Sequence, residues 1–157
     1  MLKPFFDWFQ TLAFAHAFRE SVWMFAVIED IHLVALAIFA GSILLVDLRL
    51  LGGGLKDRPL EQVARDAQPW MWWSLFALLV TGVPMIMGNG EKYYYSEVFW
   101  QKMVILVIGV IYTATLRRRI LIAGESRVGP IWRRAVGGLS IVFWLVVAVM
   151  GRLIGLT

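Results

Sequence analysis

The fold of this chain is decided by residues 22–46, which read VWMFAVIEDIHLVALAIFAGSILLV. A helix that crosses a bilayer needs about 20 predominantly apolar residues, and this run is long enough. Three ionisable residues interrupt it, namely Glu29, Asp30 and His32. Such groups are costly in hydrocarbon, so they usually face a bundle interior or serve a function. The run therefore predicts a membrane-spanning helix that carries a candidate site, opened by Ser21 as its N-cap.

The rest of the chain repeats this pattern of long apolar runs between short polar connections. Glycine-rich and proline-containing stretches separate three further segments of spanning length, at about 69–87, 99–116 and 131–153. Pro69 is expected in the first turn of the second span. The aromatic stretch at residues 4–18 predicts a short helix lying in the membrane interface. The sequence thus predicts an all-α, four-transmembrane-helix bundle, with residues 1–157 forming a single integral membrane domain.

The composition excludes several functions. The chain is 60% hydrophobic and 17% charged, with a mean hydropathy of +0.73, which is more apolar than a soluble domain. The absence of cysteine excludes disulfides, Fe–S clusters and thiolate zinc sites. The net charge of +4 would be compatible with nucleic acid, but the basic residues lie in short connections, as topology signals do. We therefore expect a lipid bilayer and no nucleic acid as partner, and we assign no catalytic residue.

The distribution of lysine and arginine predicts the orientation. The first and third connections hold ten of these residues, and the remaining parts hold five. The positive-inside rule then puts both termini outside. Arg117, Arg118 and Arg119 are interpreted as a topology determinant, with binding of anionic lipid headgroups as a secondary role. Asp47 and Arg49 are interpreted as a local ion pair that anchors the end of the first span.

His32 is the residue best suited to hold a cofactor. It lies about ten residues into the first span, roughly 15 Å below the outer surface at 1.5 Å per residue. The same count places it level with the Thr81–Gly82 region of the second span, Ile108–Gly109 of the third and Phe143–Trp144 of the fourth. A near-midplane imidazole of this kind suits an axial ligand of haem b.

The haem hypothesis gives roles to other residues. Gly82 and Gly109 would admit a flat macrocycle between helices. Lys102, Arg19 or the tyrosine run at residues 93–95 would meet the propionates. Glu29 shares a helix face with His32 at a spacing of three residues and would orient the imidazole from the second coordination shell. We expect such a protein to serve membrane electron transfer or to be a subunit of a redox complex.

Other interpretations of the same residues stay open. Glu29, Asp30 and His32 would also form a structural polar cluster in a non-enzymatic interaction or transport subunit, at a protomer interface of a homo-oligomer. Glu-x-x-His is half of a di-iron motif, but the second half is missing. Thioethers favour Cu(I), although methionine is also an ordinary apolar filler; the residues concerned are Met24, Met85 and Met87.

Several of these stretches together resemble a known family. They are IEDIHLVALA from Ile28, GSILLVDLRLLG from Gly41, then Pro69, Thr81-Gly82 and FWQK from Phe99. The chain resembles the DUF6644-type small bacterial membrane proteins of unknown function, which implies a multi-pass protein of the bacterial inner membrane. More loosely, its early-helix histidine is similar to that of copper-resistance D-type proteins and HemJ-like protoporphyrinogen oxidases, which are thought to hold haem. This wider likeness implies His32 as the metal ligand.

Overall fold

The computed structural model describes residues 3–11, 20–55, 57–88, 90–123 and 127–156. These residues form helices and short connections, without a β-strand among them. The helices are α1 (Lys3–Gln10), α2 (Val22–Leu51), α3 (Leu60–Gly88), α4 (Gly90–Tyr95), α5 (Glu97–Tyr112), α6 (Arg118–Ala123) and α7 (Pro130–Leu156). A π-helical turn, Thr113–Arg117, joins α5 to α6, so that these segments form one long rod.

Four of these helical units are long and apolar enough to cross a membrane: Trp23–Leu51, Leu60–Gly88, Glu97–Ala123 and Pro130–Ile154. The expected all-α bundle of four spanning helices is therefore confirmed. α2 packs between α3 and α7, and α7 also packs on α5. The short helices α1 and α4 contact each other at the end of the bundle where α3 finishes. Of the expected N-terminal helix at residues 4–18, the part from 12 onward lies outside the described residues.

The second spanning helix begins earlier than the sequence analysis placed it. Its added turns bury an apolar stripe against the end of α2, with the spacing i, i+3, i+4, i+7 of a helix face; the packed residues are Val46, Leu50, Leu60, Val63, Ala64 and Ala67. Pro69 consequently lies inside α3, so its expected place in a first helical turn was wrong. Tertiary packing of the stripe extends the helix beyond the minimum span.

Both ends of α2 are capped, the start by a side chain and the end by a backbone N–H group. At the start, the Ser21 hydroxyl accepts a hydrogen bond from the Met24 N–H at 3.2 Å, as expected of an N-cap. At the end, Gly52 has φ of +79° and its N–H donates to the Arg49 carbonyl at 3.1 Å. This left-handed conformation favours glycine, and it stops the helix before the first connection.

α2 and α7 approach each other closely at Gly137. A Cβ atom on Gly137 would stand 2.9 Å from Leu50 Cβ and 3.0 Å from the Asp47 carbonyl oxygen. Glycine is therefore needed here for the two backbones to come together. The crossing brings Asp47 of α2 beside Ser140 of α7, and it fixes the geometry of a buried polar site described below.

Candidate functional site

His32 and Thr81 form the polar contact of the first candidate site. The half-buried His32 ring lies on α2, and its Nδ1 is 2.7 Å from Thr81 Oγ1 on α3. A Cβ built on Gly82 would lie 3.8 Å from His32 Cε1, so the ring packs against the α3 backbone. The count of helical rise had placed Thr81 and Gly82 at the level of His32, and the structure brings these three residues together.

The Thr81 hydroxyl determines which imidazole nitrogen carries the hydrogen. This hydroxyl has one hydrogen to give, and it lies 2.7 Å from the Ala77 carbonyl oxygen, to which it donates. With this bond kept, the hydroxyl accepts from His32 Nδ1, and this tautomer satisfies both polar groups. In the neutral imidazole the lone pair is then on Nε2. Metal-binding histidines commonly have this arrangement, because a fixed Nδ1–H bond orients the ring and leaves Nε2 available.

Lys102 belongs to the same layer of the bundle as His32. It is half-buried on α5 and near enough to His32 for the two groups to interact electrostatically, and its Nζ lies 3.3 Å from the position of a Cβ on Gly151 of α7. The layer therefore combines an imidazole, a hydroxyl and an ammonium group. All four spanning helices contribute to it.

Gly109 has a different surrounding from the one we expected. A Cβ on this residue would lie 3.7 Å from the Trp144 ring, which also packs edge-on against Phe39 at a centroid distance of 4.5 Å. The indole thus occupies the space beside Gly109 that the sequence analysis had given to a macrocycle. Gly109 serves the close packing of α5 on α7.

Glu29 and Asp30 do not contact the His32 imidazole through a hydrogen bond in the described structure. Both carboxylates are exposed, and Thr81 takes the orienting position at Nδ1 that we had expected Glu29 to fill. Burial and the nearby Glu29 charge raise the pKa of Tyr93 in α4. Glu29 therefore lies near the α4 end of the bundle, at the edge of the layer that contains His32, Thr81 and Lys102.

A second polar site, which the sequence analysis missed, lies nearer the other end of α2. The Arg117 Nε donates to Asp47 Oδ1 at 3.0 Å, with 3% and 0% of the two side chains exposed. The expected pair between Asp47 and Arg49 is wrong, because Arg49 donates through Nε to the Arg58 carbonyl instead. Arg117, which the sequence analysis interpreted as a topology determinant together with Arg118 and Arg119, is thus buried in an ion pair.

The spacing of residues on α2 explains this pairing. Residues two apart on a helix point to different faces, so Asp47 and Arg49 diverge. Asp47 shares its face with the buried Ile43 and Leu50, and that periodicity was the available signal. Its Oδ2 and the nearby Ser140 hydroxyl make no aligned hydrogen bond within the described residues.

The four-helix architecture and these two polar layers define a small multi-pass membrane protein. The sequence matches the family model described as "Family of unknown function (DUF6644)" over residues 5–157. The chain belongs to this family, as the resemblance of its motifs predicted. No curated protein and no solved structure matches it.

Proposed function

We propose that this protein is a haem b-binding integral membrane protein that serves membrane electron transfer, alone or as a subunit of a redox complex. His32 would hold the iron through Nε2. The observation that supports this most directly is the hydrogen bond from His32 Nδ1 to Thr81, since Thr81 itself donates to Ala77. Bound haem would supply one-electron redox chemistry, and the protein would supply ligation, orientation and a low-polarity surrounding.

Two other residues of the layer support this proposal. A Cβ added to Gly82 would be in ordinary van der Waals contact with His32 Cε1, so the α3 backbone bounds one side of the imidazole. The half-buried Lys102 places a positive charge near His32, and an ammonium group there would pair with a propionate carboxylate. The propionates would then lie on the α5 side of the site.

The optical spectrum of protein purified without added cofactor tests this proposal. We expect a Soret band that is lost in His32→Ala and retained in His16→Ala, which removes the other histidine. Thr81→Val should retain the band but lower haem affinity by about 10- to 100-fold, because the orienting hydrogen bond is lost. Thr81→Ser should restore it. A colourless wild-type protein, or a His32→Ala variant with an unchanged Soret band, would reject haem ligation by His32.

The exposure of Glu29 and Asp30 favours a second candidate function. These carboxylates lie roughly 10 Å along α2 from its first residue, on a helix whose surroundings are apolar. A partner protomer that covers them would reduce the cost of placing charge at this depth. The protein would then be a homo-oligomeric interaction or transport subunit without a cofactor. It should be colourless, and Glu29→Gln should dissociate its oligomer in detergent.

For either function we propose the bacterial inner membrane, with both termini on the outer side. This orientation follows from the excess of arginine and lysine in the connections after α2 and after α6.

A further inference from the structure

A cleft of about 370 Å³ lies at the arginine-rich end of the bundle, between α2, α3 and the rod formed by α5 and α6. Its buried polar lining residues are Ser42, Thr113 and Arg117. Arg65 of α3 and Arg118 of α6 are exposed lining residues. The cleft is separate from the His32 layer, because Ser42 lies ten residues, roughly 15 Å, farther along α2.

The walls between these polar groups are apolar. They include Val46, Ala64, Met71, Trp72 and Leu121. α3 packs on α6 but makes few contacts with α5, so the cleft is not closed by helix packing on that side. A hydrocarbon chain in the cleft would contact apolar side chains and reach the lipid phase between α3 and α5.

The charges around the cleft favour an anion. Within the described part of the chain, neither Arg65 nor Arg118 has an ion-pair partner. Glu61 is the one carboxylate among the described lining residues. Two guanidinium groups from different helices can bind a phosphate group by charge-assisted hydrogen bonds.

Arg117 adds an independent observation, because its guanidinium is incompletely satisfied. Its Nε is bonded to Asp47, but Nη1 reaches only Met71 Sδ at 3.6 Å, and Nη2 is 3.5 Å from the Ile43 carbonyl oxygen. The Nη2 contact is long for a good hydrogen bond, the thioether sulfur at Nη1 is a weak acceptor, and a guanidinium has five donors to satisfy. This buried side chain lines the cleft, so an acceptor oxygen entering there would complete its bonding. π-helical turns such as the one that carries Arg117 occur frequently at functional sites.

We propose that this cleft binds an anionic phospholipid of the surrounding membrane. Its phosphate would lie between Arg65 and Arg118, with an oxygen toward Arg117, and one acyl chain would lie along the apolar walls. The phospholipid is favoured as occupant because the cleft combines cationic groups at a membrane-proximal end with an apolar path on the lipid side.

Lipid titration in detergent, followed by native mass spectrometry, tests the proposal. The purified full chain is titrated with phosphatidylglycerol and with phosphatidylcholine of the same acyl composition. We expect phosphatidylglycerol to bind at least about tenfold more tightly, since two arginines contact its phosphate without a neutralising choline. Arg65→Gln and Arg118→Gln should each weaken binding by about fivefold. Arg119→Gln is the matched control, because this exposed neighbour does not line the cleft, and it should change binding less than about twofold.

Fluorescence quenching locates the bound lipid. Phosphatidylglycerol with brominated acyl chains should quench wild-type tryptophan emission, and Trp72→Phe should lose more of this quenching than Trp73→Phe, whose exposed side chain does not line the cleft. Equal affinity for phosphatidylcholine would overturn the proposal. If Arg119→Gln lost as much phosphatidylglycerol affinity as the two cleft variants, the proposal would also be overturned. The lipid would then be attracted to the basic end of the bundle in general and not to the cleft. Oleate serves as a further probe. If the protein bound oleate but not phosphatidylglycerol, a phospholipid would be ruled out as the occupant.

Discussion

At the scale of single residues, Asp47 and Arg117 form a buried ion pair that joins the first and third spanning helices. Removing one partner of a buried ion pair leaves the other charge uncompensated, which typically costs about 3–5 kcal/mol. Arg117→Gln should therefore unfold in detergent at a much lower temperature than wild type. Arg119→Gln, an exposed change of the same kind, should leave the thermal midpoint nearly unchanged.

Replacing both residues of the ion pair by neutral ones distinguishes the effect of an uncompensated charge from the effect of a changed side-chain shape. The double variant Asp47→Asn with Arg117→Gln removes both charges, so it should recover a large part of the stability that Arg117→Gln loses. The measurement is the same thermal midpoint. If Arg117→Gln proved as stable as Arg119→Gln, the buried ion pair would not stabilise the fold.

The two polar sites differ in how well the sequence predicts which of their residues meet. His32 and Thr81 lie in regular spans, so a rise of 1.5 Å per residue was enough to place them at one level. Asp47 and Arg117 are 70 residues apart, and Arg117 is the last residue of a π-helical turn that shifts the register of its helix. Counting residues along a regular helix cannot anticipate that shift. The same count placed Trp144 level with Gly109, but it did not show that the indole ring would pack against that glycine.

At the scale of helices, the crossing of α2 and α7 rests on Gly137. A methyl group there would meet Leu50 Cβ and the Asp47 carbonyl oxygen at 3.0 Å or less, so the helices must separate. We expect Gly137→Ala to cost about 1–3 kcal/mol, as overpacked sites do, measured as a lower thermal midpoint in detergent. Gly41→Ala is the matched control, since nothing lies within 4 Å of its Cβ position. It should be neutral or stabilising, and an equal loss in both variants would contradict the close-approach explanation.

The number and type of the helices were predictable, but the bounds of α3 were not. Hydropathy identified four spans because a bilayer requires long apolar runs. It did not identify the first turns of α3, where Glu61, Arg65 and Asp66 make the segment look like a polar connection. The buried face of those turns packs on Val46 and Leu50, and this contact depends on how the helices are arranged.

At the scale of the whole molecule, the proposed orientation is testable because the natural chain has no cysteine. Single cysteines can therefore be labelled without background. Lys92→Cys lies on α4, and Asp57→Cys lies in the connection between α2 and α3; both positions are exposed. A membrane-impermeant maleimide should label Lys92→Cys in intact spheroplasts and Asp57→Cys only after the membrane is disrupted. The reverse labelling pattern would mean that the termini face the cytoplasm.

The separation of Asp47 from Arg117 along the chain also has a consequence for biosynthesis. At 5–20 residues per second, the ribosome needs roughly 4 to 14 s to add the 70 residues between them. During that interval the newly inserted α2 carries Asp47, whose partner Arg117 has not yet been synthesised. We therefore expect α2 to stay near the aqueous edge of the translocon until the third spanning segment is inserted. Its final depth in the membrane would then be set late in assembly.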